Sequence, residues 1–317
     1  MTKKAPVLAI IVPCFNEEEV LPLSVRKLTE QLDLLISGEK IDKSSFICMV
    51  DDGSNDRTWE LINKFSQEGN VRGIKLSNNF GHQNALLAGL FYWKNKAGCF
   101  VTIDADLQDD VTVIGQMMDK YSEGNMIVYG VRENRKTDTF FKRNCALAFY
   151  RLMKILGINT IFNHADFRLA DRNVIESLEK YNEVNLFLRG IFPLLGYKSD
   201  VVYYERTRRE FGLTKYPLRK MISFAWQGIT SFNTTLLKYV TFAGVLMFGV
   251  SILIAVWVMI NYFSGKTVQG WASILLIVSA FSGINMICLG LIGEYVGKIY
   301  LEVKQRPRYI IEQTTGG

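Results

Sequence analysis

Three acidic clusters stand directly after short apolar runs in the first third of the chain. They are Val12-Pro-Cys-Phe-Asn-Glu17, Asp51-Asp-Gly-Ser-Asn-Asp56 and Asp104-Ala-Asp-Leu-Gln-Asp-Asp110. Asp104 and Asp106 are two residues apart at the end of an expected strand, a spacing that can turn both carboxylates toward one point. Two carboxylates beside a diphosphate repel it unless a hard divalent cation lies between them. Mg²⁺ or Mn²⁺ there would bridge phosphate oxygens and stabilise charge on a departing nucleoside diphosphate. A lone D-x-D is weak, because acidic loops are common and usually only solvated; three acidic sites on successive strand ends carry the argument. No G-x-G-x-x-G follows the first apolar run and no G-x-x-x-x-G-K-[ST] occurs. Dinucleotide binding and a phosphate-cradling loop therefore both lose support.

The elements that must position these residues follow a strand-then-helix rhythm. Apolar runs without strict alternation predict strands at 7–12, 46–50, 73–76, 99–103 and 126–129, as expected where both faces of a sheet are covered. Helical periodicity lies between them, at 17–35, 57–66, 82–94 and 111–121. The alternation predicts a doubly wound, mostly parallel α/β sheet, which binds ligands beyond the carboxyl ends of its strands. The run at 7–12 follows Lys3 and Lys4 but is shorter than the roughly 7–15 residues of a signal-peptide core, so it reads as a buried strand. From 132 to 205 the pattern is mixed, with helices expected at 140–156 and 172–181 and a strand at 197–204.

The chain has 317 residues, 49% of them hydrophobic, and a net charge of +6; its mean hydropathy is +0.10. The excess apolar content sits late. Residues 236–293 carry only Lys238 and Lys266, and 239–265 and 267–293 each exceed the roughly 20 residues that cross a bilayer. Basic residues flank this region at Arg206, Arg208, Arg209, Lys215, Arg219 and Lys220, and again at Lys298, Lys304, Arg306 and Arg308. That placement favours a membrane surface and phosphate over nucleic acid. It also puts both flanks on the cytoplasmic side of a two-helix transmembrane hairpin. Leu218, Met221, Ile222, Ala225, Trp226 and Ile229 share one helical face, predicting an amphipathic interfacial helix over 217–235. The expected organisation is a catalytic domain over 1–216, the interfacial helix, two spans within 236–297 (about 239–263 and 271–293) and a basic cytoplasmic tail over 298–317. The five cysteines show no C-x-x-C pair and read as buried thiols in a reducing compartment. His82 and His164 read as hydrogen-bonding or packing residues rather than metal ligands.

These motifs resemble the inverting family 2 glycosyltransferases, which have a GT-A fold. More narrowly the chain is similar to the polyprenyl-phosphate branch, the dolichyl-phosphate mannosyltransferases and bacterial undecaprenyl-phosphate glucosyltransferases. Asn79-Phe-Gly-His-Gln83, Asp166-Phe-Arg-Leu169, Arg209-x-x-Gly-x-Thr-Lys-Tyr216 and Arg306-Pro-Arg-Tyr309 extend the likeness over nearly the whole chain. Phe15 departs from it, standing where the family often has Tyr: a stacking face survives and a hydroxyl contact does not. The resemblance implies that Pro13, Phe15, Glu17 and Asp51 or Asp52 hold the nucleoside, and that Asp104, Asp106 and Gln108 surround the metal, Mg²⁺ or Mn²⁺, and the diphosphate. Arg132 would contact the diphosphate or the acceptor phosphate, and Arg206, Arg208 and Lys215 the acceptor phosphate. Asp166 is the candidate general base. A phosphate monoester has its second pKa near about 6, however, so it is already a nucleophile at neutral pH, and Asp166 could instead orient the acceptor or balance Arg168. The implied reaction moves one sugar, with UDP-glucose favoured as donor, to a polyprenyl phosphate at the inner membrane. A processive polysaccharide synthase is the alternative enzyme, but no Q-x-x-R-W occurs; a non-catalytic membrane scaffold would be expected to have lost the acidic sites. Gly283 and Gly290 are compatible with close helix contacts in a homo-oligomer.

Overall fold

The computed structural model describes residues 5–67, 69–106, 108–132, 164–183, 188–205, 235–264 and 270–316. In chain order these form β1 (Leu8–Cys14), α1 (Leu21–Ser37), β2 (Phe46–Asp51), α2 (Thr58–Phe65), β3 (Val71–Leu76), α3 (His82–Trp93), β4 (Cys99–Thr102), α4 (Val113–Ser122) and β5 (Ile127–Arg132). There follow β6 (His164–Asp171), α5 (Arg172–Glu179), α6 (Leu188–Leu194), β7 (Ser199–Tyr204), α7 (Thr235–Phe263), α8 (Trp271–Val303) and β8 (Ile311–Thr315). The expected helices at 140–156 and 217–235 lie outside the described residues.

The strands make one sheet in the order β7-β5-β6-β4-β1-β2-β3-β8. β3, β2, β1 and β4 are mutually parallel, which gives the predicted doubly wound half. β6 inserts antiparallel between β4 and β5, and β8 pairs antiparallel with β3, so the sheet is mixed. Neither reversed strand was expected from the sequence. β6 carries Asp166, Arg168 and Asp171 within a short apolar pattern, and β8 reads Ile-Glu-Gln-Thr-Thr, with little apolar signal.

β1 is buried along its whole length, as a central strand covered on both faces must be. On one face Leu8, Ile10 and Val12 join a core with Leu21, Val25, Leu28 and Leu32 of α1 and Ile114 and Met117 of α4. On the other, α3 approaches so closely that a Cβ on Gly89 would lie 2.5 Å from Ile11 Cγ2. These two packed faces fix the carboxyl ends of β1, β2 and β4, from which the acidic clusters emerge.

The chain divides into two compact units, one built on the sheet and its helices with β8 included, the other on α7 and α8. The segment expected as a basic tail, 298–317, is of two kinds: α8 runs on to Val303, and the last residues complete the sheet. Ser77 N–H donates to Ile310 O at 3.0 Å, and Arg308 donates to Tyr181 O. Both late apolar segments are helical. Among the described residues one segment, Phe281–Val303, is long and apolar enough to cross a membrane, with mean hydropathy 1.3. α7 contains a shorter apolar stretch, Gly244–Ile254.

Candidate active site

The loops after β1 and β2 are laced together by the polar residues of the first two motifs. Ser54 Oγ accepts from Asn16 N–H at 2.9 Å, Asn16 Oδ1 accepts from Asn55 N–H at 2.9 Å, and Thr58 Oγ1 accepts from Glu17 N–H at 2.9 Å. Asp56 accepts from Glu18 N–H at 3.2 Å and caps α2 through Thr58 N–H at 3.0 Å. Ser54 and Asp56 therefore serve loop architecture, and the loop they build presents Phe15 to solvent, 42% exposed. Pro13 lies buried in β1 opposite Val50.

The two aspartates of the second motif have different surroundings. Asp52 receives Phe80 N–H at 2.7 Å and Gly81 N–H at 2.9 Å, which fixes the turn leading into α3. Burial raises Asp52 above the usual carboxylate range, and these two backbone donors oppose that rise. Asp51 accepts from Ser54 N–H through Oδ1, while its Oδ2 is buried with no hydrogen-bond partner. Burial raises this group too. Gly53 between them and the next loop has φ +68°, and a Cβ there would sit 2.5 Å from the Asn78 carbonyl carbon. The turn can thus be made only by glycine.

Asp104 and Asp106 follow β4, on a segment tied to α1 by Ser24 Oγ donating to Ala105 O at 2.7 Å. Asp104 Oδ1 is buried and without a hydrogen-bond partner. Burial pushes Asp104 up to about 6, opposed by His82 and reinforced by Asp166, Asp109 and Asp106. A buried carboxylate oxygen without a hydrogen bond favours a positive charge beside it, and His82 Nε2 stands 3.4 Å from this one. Among the described residues no three His, Cys, Asp or Glu side chains gather into a closed cage. Two carboxylates suit Mg²⁺ or Mn²⁺, whose remaining positions are filled by phosphate oxygens and water. Asp106 Oδ1 accepts from Gln108 N–H at 3.2 Å, and the Gln108 side chain is itself buried.

Beside this pair lies an ion cluster that sequence spacing only half revealed. Asp166, near the start of β6, is paired with Arg168 of the same strand and with Arg189 of α6, whose Nη2 is 2.9 Å from Oδ2. His82, the first residue of α3, places Nε2 3.4 Å from Asp104 Oδ1 and 3.7 Å from Asp166 Oδ2. Burial alone would raise Asp166, but Arg189 and Arg168 hold it well below the usual carboxylate range. Arg168 is 1% exposed, stacks over Phe192 at 4.4 Å and donates to Leu188 O at 3.3 Å. Gln83 Oε1 accepts from Leu188 N–H at 2.9 Å. Both backbone groups of Leu188 are thus held by side chains of the cluster, which sets the start of α6. His82, expected to be a hydrogen-bonding or packing residue, stands between the Asp104 and Asp166 carboxylates. Arg189 lies 23 positions from Asp166 in sequence, and no local pattern links the two.

Arg132 closes β5. Its Nη2 lies 3.1 Å from Asp109 Oδ1, its Nε 3.3 Å from Tyr204 Oη, and Tyr204 Oη donates to Asp109 at 2.6 Å. Asp109, 3% exposed, is the anchor of this triad and was hidden in the sequence among the other acids of its run. Arg206, Arg208, Arg209 and Lys215 lie outside the described residues.

Comparison with known proteins places this geometry in a family. The profile of glycosyl transferase family 2 matches residues 9–179, which contain all three acidic motifs and Asp166. An uncharacterised glycosyltransferase of Bacillus subtilis is 52% identical over 98% of this chain and 93% of its own length. The bactoprenol glucosyl transferase of Shigella phage SfX is 36% identical over 96% of this chain and 98% of its own. A prophage bactoprenol glucosyl transferase homologue of Escherichia coli is likewise 36% identical, over 96% and 98%.

Proposed function

The chain belongs to glycosyl transferase family 2, and on that premise we propose that it transfers a single sugar, with inversion, from a nucleotide-sugar to a polyprenyl phosphate. The observation that carries the proposal is Asp104 at the end of β4, whose buried Oδ1 makes no hydrogen bond and faces His82 Nε2 at 3.4 Å. The acceptor class is supported by relatives named bactoprenol glucosyl transferases that align with nearly the whole chain. The names of these relatives favour glucose as the sugar, and UDP-glucose is the donor proposed.

Phe15 offers a face to the base, with Pro13 two residues before it on β1 and Glu17 two residues after it, and the buried Asp51 Oδ2, which makes no hydrogen bond, is an acceptor for a nucleoside N–H or hydroxyl. Asp52 acts through the loop it holds. Asp104 and Asp106, with Gln108 behind them, would hold Mg²⁺ or Mn²⁺, which when bound supplies charge stabilisation to the departing diphosphate. In the transfer a phosphate oxygen of the acceptor forms a bond to the anomeric carbon as the bond to the nucleoside diphosphate breaks. The acceptor dianion brings its own electron pair, so no proton need be removed. Arg132, held by Asp109 and Tyr204, is a fixed cation for diphosphate or acceptor, and Arg206, Arg208 and Lys215 are assigned to the acceptor phosphate by their place before the membrane segment.

Anchoring in the bilayer by α7 and α8 is part of the same reading. The chain leaves the catalytic unit before α7 and rejoins its sheet at β8, so any path through a bilayer crosses it an even number of times. Phe281–Val303 is one span; α7, 29 residues long with Lys238 as its one charged residue, supplies the other. The surplus of Lys and Arg on the outer flanks favours the cytoplasmic face of the inner membrane for the catalytic unit.

The test is to incubate the detergent-purified full chain with undecaprenyl phosphate and a panel of radiolabelled nucleotide-sugars. Lipid-linked sugar should form from one donor, stop with EDTA and return with Mg²⁺ or Mn²⁺. Transfer to no lipid phosphate, or full transfer in chelator, would defeat the reading.

A further inference from the structure

Resting on that proposed reaction, we infer that the last strand of the chain belongs to the donor site: β8, with the Arg306-Pro-Arg-Tyr309 motif before it, positions the loop between β3 and α3, and donor affinity depends on it. β8 runs antiparallel to β3, so its first residues stand at the carboxyl end of β3, the end at which a sheet of this class opens its ligand crevice. There Ile310 O accepts from Ser77 N–H, which begins the loop, at 3.0 Å. The later part of the same loop meets the second acidic motif twice. Phe80 N–H and Gly81 N–H donate to the two oxygens of Asp52 at 2.7 and 2.9 Å. The Asn78 carbonyl carbon lies where a Cβ on Gly53 would come within 2.5 Å of it. The loop then delivers His82 to the start of α3, with Nε2 3.4 Å from Asp104 Oδ1. It is thus held at its beginning by the chain's last strand and at its end by the motif assigned to the nucleoside. A loop fixed at both ends before the ligand arrives loses less entropy on binding.

Side chains as well as the ladder hold β8 in place. Arg308 donates to Tyr181 O in the segment after α5, and Lys75 Nζ lies 3.1 Å from Glu312 Oε2. Thr315 Oγ1 is 2.6 Å from Ser66 Oγ and donates to Asn63 Oδ1 of α2 at 3.2 Å. Arg72 Nη1 donates to Gly316 O at 3.0 Å. Covering an exposed sheet edge requires only backbone pairing. These contacts do more, because they specify one register, and that register sets Ile310 O against Ser77. The residues of β8 act on the donor through the loop they hold, so they are positioning residues.

The experiment uses the full chain in detergent, with UDP-glucose binding measured by calorimetry and transfer to undecaprenyl phosphate measured beside it. Gln313→Pro/Thr314→Pro removes two successive N–H groups, which point to opposite edges of the strand, so the ladder loses a donor. It should raise the UDP-glucose Kd about three- to tenfold and leave the acceptor KM at the wild-type value. Arg308→Ala leaves β8 itself unaltered and serves where the proline variant does not fold. It should raise the same Kd about two- to fivefold, and Arg308→Lys, which keeps a charged donor, should restore it. A lower Tm with an unchanged Kd overturns the inference, because β8 would then only cover the edge of β3. A rise in acceptor KM with an unchanged Kd also overturns it and assigns the tail to the acceptor. A wild-type chain that neither binds UDP-glucose nor transfers its sugar defeats the functional reading itself, whereas wild-type binding with unmoved variants defeats only the role of β8.

Discussion

Replacing Asp166 by Asn separates a structural carboxylate from a catalytic base. Asp166 is 12% exposed and its partner Arg168 1%, so the substitution leaves a buried guanidinium facing a neutral amide. Breaking a buried ion pair from one side costs about 3–5 kcal/mol. Asn keeps the shape and one acceptor oxygen, which puts the loss at the lower end, about 3 kcal/mol. For a catalytic unit of this size that lowers Tm by about 6–12 °C, readable by thermal unfolding of the purified chain. The double variant Asp166→Leu/Arg168→Met removes both charges and should recover most of the loss. The pH dependence has a definite sign. Arg189 and Arg168 hold Asp166 below its usual range, so its contribution is fully present above the unfolded aspartate pKa of about 3.9 and is lost as pH falls below it. Asp166 should contribute no ionisation to kcat between pH 5 and 9. A limb above pH 5 that disappears in Asp166→Asn, or wild-type Tm in that variant, would refute the argument.

Asp104→Asn should abolish transfer, by at least about a hundredfold, yet raise Tm in EDTA, because it removes a negative charge that burial and the neighbouring Asp166, Asp109 and Asp106 disfavour; a lower Tm would contradict that account. Gly53→Ala must resolve a 2.5 Å approach to the Asn78 carbonyl carbon at φ +68°. It should cost about 1–3 kcal/mol or more and weaken donor binding by displacing the loop that Asp52 holds, so a variant that binds donor normally would show the turn to be compliant. In intact cells a cysteine placed in the short connector between α7 and α8 should react with an impermeant thiol reagent while one placed after Tyr309 should not; labelling of the latter would invert the topology.

The sequence by itself determined the parallel half of the sheet and its loops. Continuous apolar runs at β1, β2 and β4 can be buried only on two faces, and the motifs Asp51-Asp-Gly-Ser54 and Asp104-Ala-Asp follow those strands directly, so strand ends and acidic sites could be read together. It also marked α7 and α8 as helices, since 239–263 and 271–293 run for many turns, mostly apolar and without one charged residue. What only the tertiary structure decided depends on pairing across long separations. β8 carries four polar residues and one apolar one, and it is a strand because the edge of β3, with Gly73 making room for Thr315, has backbone groups to satisfy. His82 looked like any helix-start histidine until α3 was packed on β1, which set it between Asp104 and Asp166. Asp109 was one acid among four until Arg132 and Tyr204 arrived from two other strands to claim it. Asp166 could be picked from its motif, but its charge state could not, because that is set by Arg189, which only the folding of α6 against β6 brings to it.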